Sequence, residues 1–116
     1  MDDKLNKAIE FSNYRLTLNT QLEQLKSKTQ SYLKYATNGG IFTIDKSLIT
    51  FVKLLISEEY DEAVLLDDND VPIQIQTQDF FDEIMSRYFE VVNEYHEGYE
   101  KIRKARNVKS ILDLDI

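Results

Sequence analysis

The chain has 116 residues, 42% of them hydrophobic, with seven Tyr and six Phe; this is enough to build the core of one domain and too much for a disordered segment. It has no cysteine and a single histidine, which excludes disulfides, thiolate zinc sites, a cysteine nucleophile and the usual multi-histidine metal centres. The net charge of −7 is uneven: residues 58–83 hold ten acids and no Lys or Arg, while the remainder holds 11 acids and 14 bases.

In chain order, residues 3–36 contain no Gly or Pro, and Ala8, Phe11, Leu18, Leu22, Leu25, Tyr32 and Ala36 recur at three- and four-residue steps with gaps at Arg15 and Thr29. The spacing predicts a helix packed along one seam, roughly 50 Å long at about 1.5 Å per residue. "Thr37-Asn38-Gly39-Gly40" then reads as a helix stop, because Asn and Gly accept the left-handed conformation that closes a C-terminus. "IFTI" at 41–44 is β-branched and aromatic, hence a short strand. Asp45 or Ser47 can cap a following core helix, in which Leu48, Phe51, Val52, Leu55 and Ile56 share a face. "AVLL" and "VPIQI" are two further strands, and Pro72 makes the second an edge strand because it cannot donate to a ladder. The last long helix is expected over 78–105, with Phe81, Met85, Tyr88, Val92, Tyr95, Tyr99 and Ile102 along its seam.

The fold class expected is α+β: two long antiparallel helices with a small β-sheet and one short core helix as a head. Residues 1–110 form a single domain, and residues 111–116 a C-terminal tail. Tyr88, Tyr95 and Tyr99 are bulky for a two-stranded coil, so a third helix or a second subunit covering them as an oligomer seam is an open expectation. Their helical spacing favours packing over stacking on single-stranded bases.

The loop "DDND" between the two strands has three readings. As a calcium loop it fails, since counting from Asp67 the sixth position is Pro72, where a glycine is needed, and the twelfth is Gln78, where a glutamate is needed. As a catalytic pair it would need a desolvated carboxylate. As a turn, Asp and Asn bond their own backbone and join the strands, and this reading fits best. His96 has Glu100 one turn on and no nucleophile nearby, so an exposed ion-pair neighbour fits better than a general base. No metal, no cofactor and no enzymatic activity are expected.

Two surfaces could engage partners. Lys101, Arg103, Lys104 and Arg106 are candidate phosphate contacts, although they also complement a helix C-terminus, and the acidic balance makes nucleic acid the lesser expectation. The tail "SILDLDI" offers Ile111, Leu112, Leu114 and Ile116 as anchors for a partner groove, or as a terminal segment packed on this chain's own fold; both readings stand. The N-terminus has acids where a secretory signal needs positive charge, and no apolar run approaches the about 18 residues of a membrane span, so a cytoplasmic protein away from the membrane is expected.

The stretches "NGGIFTID", "LLDDNDVPIQI" and "NEYHEGYEKIRKARNVKSILD" resemble small proteins encoded by contractile-tailed phages that infect marine cyanobacteria. The resemblance implies a role in virion assembly or host takeover, in the host cytoplasm or the virion. The tail is also similar to the acidic and hydrophobic C-terminal peptides by which phage polymerases and late-transcription factors hold a sliding clamp, but those usually carry an aromatic residue, and none follows Tyr99 here. The expected function is therefore a non-enzymatic protein-interaction protein, a phage-type assembly or structural component with phage structural proteins as partners and a homodimer open. The alternative is a replication or late-transcription accessory factor binding a clamp or RNA polymerase.

Overall fold

The computed structural model describes residues 2–114 and has an α+β fold, in which the contacts group into two compact units. One unit comprises residues 30–92. It holds the hairpin β1 (Lys34–Thr37) and β2 (Gly40–Thr43), helix α2 (Lys46–Ser57), the hairpin β3 (Glu62–Leu66) and β4 (Pro72–Gln76), and the first part of α3 (Thr77–Lys104). The other joins the residues up to 29 with those from 93 onward. It contains most of α1 (Asp2–Tyr32), the end of α3 and the short α4 (Val108–Leu112).

The first hairpin corrects the expected helix stop. Helix α1 ends at Tyr32, and the chain immediately turns into a strand that pairs Tyr35 with Phe42 and Thr37 with Gly40. Asn38 and Gly39 both have positive φ, 51° and 84°, which is the two-residue turn whose twist matches the flanking strands. The single small sheet expected is thus two antiparallel two-stranded sheets. Gly40 has a different requirement: a Cβ there would lie 2.6 Å from Ile73 Cγ1 and 2.8 Å from Ile73 Cδ1.

Asp45 caps α2, its carboxylate accepting from Leu48 N at 2.8 Å. The helix does not bury the whole expected face. Val52 is buried and Leu48, Ile49, Leu55 and Ile56 are half-buried, but Phe51 is exposed. Phe42, Ile44, Val52, Leu65, Ile73, Ile75, Phe80 and Ile84 form the core of this unit, with Phe42 edge-on to Phe80 at 5.1 Å between ring centroids.

In the helical unit α1 and α3 run antiparallel. Leu25 meets Gly98, where an added Cβ would stand 2.9 Å from Leu25 Cδ1. Tyr14, further toward the start of α1, donates its hydroxyl to the Ala105 carbonyl at 3.0 Å, just past the end of α3, satisfying an acceptor that a helix terminus leaves open. After that bond Asn107 caps α4 by accepting from Ser110 N at 2.8 Å. Ile102 and Ile111 are fully buried. Helix α4 therefore crosses the expected boundary between residues 110 and 111.

The buried line of α3 is also displaced from the expected seam. Thr77, Phe80, Ile84, Val91, Gly98 and Ile102 are the positions removed from solvent, and of these Ile102 belongs to the expected seam; Phe81, Met85, Tyr88, Val92 and Tyr95 flank them half-buried, and Tyr99 is 40% exposed.

Candidate functional site

The acidic loop after β3 is a structural joint. Asp67, buried at the start of the turn, accepts from Asn69 N at 2.8 Å and Val71 N at 2.9 Å with Oδ1, and from Ile41 N at 3.0 Å with Oδ2. Asp68 accepts from Thr43 N at 3.1 Å, from the Thr43 hydroxyl at 2.6 Å and from Lys34 Nζ at 3.1 Å. Backbone bonds from Asp68 N to Ile41 O and from Asp70 N to Asp67 O complete it. The loop is thus the expected turn, and its two carboxylates also tie the outer edge of β2 to the second hairpin.

The Ile41 amide, followed by that of Val71, holds the Asp67 carboxyl below its ordinary value of 3.8 against the opposing effect of burial. The Thr43 hydroxyl, followed after burial by Lys34, does the same for Asp68. Because both are depressed in the folded chain, their stabilisation is complete above the unfolded carboxylate value and is lost as pH falls through the folded values. Acid titration of wild type and Asp67→Asn should show the wild-type advantage disappearing below about pH 4. An advantage that persists undiminished at pH 2 would contradict the joint.

The expected site residues do not converge. Tyr88 belongs to the unit of residues 30–92 and packs on its core with a T-shaped contact to Phe89 at 5.7 Å, while Tyr95 and Tyr99 sit in the helical unit 6.1 Å apart. At i, i+7 and i+11 of α3 the three fall on one face of that helix, Tyr88 and Tyr95 half-buried and Tyr99 exposed. Lys101, Arg103, Lys104 and Arg106 are all exposed, but Arg103 is bound to Glu100 at 2.8 Å. Ile111 is corrected from docking anchor to core residue, being 0% exposed; Leu112 is exposed and Leu114 half-buried. Ile116 lies outside the described residues. His96 is exposed, and the carboxylate one turn on, Glu100, is held by Arg103. Among the described residues no three metal-ligating side chains are grouped, and no helix is long and apolar enough to cross a membrane.

Two exposed apolar surfaces lie apart from the expected site residues. On α1, Leu5, Ile9 and Leu16 are 61%, 50% and 67% exposed. At about 100° per residue they fall opposite Leu18 and Leu25, so the helix carries a second apolar stripe on its back. The signal was the i, i+4, i+7, i+11 spacing through Ser12. On β3, Val64 and Leu66 point outward, 63% exposed each, while Leu65 is buried; strict alternation was the signal there. The helical unit also has an open groove of about 980 Å³ whose lining includes Lys7, Glu10, Phe11, Tyr14, Arg106 and Lys109.

No family model, curated protein or solved structure matches the chain.

Proposed function

We propose that this chain is a non-enzymatic interaction protein, a phage-type assembly or structural component that works in the cytoplasm and joins other protein chains through its helical unit. The observation that carries this reading is the back stripe of α1. Soluble chains rarely gather large apolar side chains on one exposed face without a partner, and a stripe this narrow, interrupted at Ser12, suits a single facing helix. Burying each such side chain contributes about 1.5–3 kcal/mol.

The combined variant Leu5→Gln, Ile9→Gln, Leu16→Gln should fold as wild type does, since none of the three is buried. In sedimentation and in co-purification with virion proteins, wild type should associate and the variant should not. A wild type that stays monomeric and captures the same proteins as the variant would overturn the proposal.

The accessory-factor reading draws less support. Its clamp-binding tail would have to extract Ile111 from the interior, and one of its four phosphate contacts, Arg103, is committed to Glu100.

A further inference from the structure

The hairpin of β3 and β4 has one edge that no described backbone group occupies. Asp67 N donates to Val71 O and Thr77 N to Asp61 O, each at 3.0 Å. These pairs share the register of Ala63 with Ile75 and Leu65 with Ile73. Bonded and non-bonded pairs alternate along an antiparallel ladder. Glu62, Val64 and Leu66 therefore direct their N–H and C=O groups away from β4, and among the described residues no backbone group bonds to them across that edge. Edges of this kind are normally guarded by lysine, proline, a bulge or a covering segment. The strand "EAVLL" contains neither lysine nor proline, and its outward side chains Val64 and Leu66 are apolar and exposed.

We propose that β3 receives an extended segment of another protein as an added strand, and that this segment is basic at its ends. Main-chain bonds to Glu62, Val64 and Leu66 supply the attachment, and Val64 and Leu66 favour β-branched or aromatic neighbours on the added strand. Charge selects the partner. Glu58, Glu59, Asp61 and Glu62 lie at one end of the edge and Asp70 near the other, none in an ion pair with a described residue, and residues 58–83 contain no base. A second copy is a poor occupant, because antiparallel pairing of β3 with itself about Val64 sets Asp61 opposite Asp67 of the other chain, and like charges placed directly opposite destabilise a pair. The inference rests on the reading of the chain as an interaction protein but uses a surface other than the α1 stripe, so each can fail alone.

The test is a nuclear magnetic resonance titration of the full chain at low salt with a capped peptide of alternating threonine and valine flanked by lysines, beside the same peptide flanked by glutamates. The amides of Glu62, Val64 and Leu66 should shift and exchange more slowly with the lysine peptide, and the glutamate peptide should bind at least about tenfold more weakly. Val64→Pro removes a donor that the hairpin does not use and should abolish the response with the fold retained. Val64→Lys, which makes no backbone demand, should weaken it if the proline variant fails to fold. Unmoved edge amides, equal binding of the two peptides, or the same amide shifts appearing with rising protein concentration and no peptide would each overturn the proposal.

Discussion

Ile111→Ala is expected to lower the stability of the chain by about 2–5 kcal/mol, while Leu112→Ala, one residue on, should change it by less than about 0.5 kcal/mol. The contrast follows from burial: Ile111 is fully enclosed and Leu112 is 61% exposed. Truncating an enclosed isoleucine removes its transfer free energy and leaves a cavity that the surroundings refill only in part. The asparagine cap of α4 and the Tyr14 bond to Ala105 hold the segment in place, which limits that collapse. Urea unfolding by circular dichroism, with hydrogen exchange of the α1 and α3 amides in the helical unit, separates the outcomes. Equal midpoints for the two variants would return Ile111 to the surface and revive the tail as a docking peptide.

Gly40→Ala should cost about 1–3 kcal/mol through overpacking, since the new methyl group would meet the Ile73 side chain well inside contact distance. Gly39→Ala should cost about 1–2 kcal/mol for another reason, its φ of 84°. Nothing lies within 4 Å of a Cβ at position 39. Asparagine, which tolerates the left-handed region, separates the two causes: Gly39→Asn should recover most of the loss, and Gly40→Asn should be worse than Gly40→Ala. Thermal melts of the four variants check this, and a Gly40→Asn variant at least as stable as Gly40→Ala would show that the Ile73 contact does not limit that position.

These positions also show what was legible in the sequence. Helix α2 with its Asp45 cap, the strands β3 and β4, the turn between them and the extent of α3 could all be read from local chemistry, because each depends on neighbours within a few residues. Asn38 and Gly39 could not be assigned alone: a helix C-terminus and a tight hairpin both use positive φ, and only the pairing of Tyr35 with Phe42 decides between them. The buried line of α3 differs from the expected seam before Ile102 because apolar residues occur in adjacent pairs, Phe80 with Phe81, Ile84 with Met85 and Val91 with Val92. Either register satisfies a three-and-four spacing. Gly98 decides it, since α3 meets Leu25 of α1 through a residue that a count of apolar side chains passes over. The back stripe of α1 was hidden by the seam in front of it, and the open edge of β3 is a property of hydrogen-bond parity that composition does not record.

The two borders of the second hairpin are unlike. Along β4, Pro72 has no N–H to offer and the Asn38 side chain donates to Gln74 O at 3.1 Å, so that border resists extension, whereas the border along β3 is bare. A strand accepted there lengthens the ladder in one direction only. The stoichiometry of such a union is one segment per chain, and the hairpin acts as a terminus that cannot seed a stack of identical molecules, which requires two receptive borders.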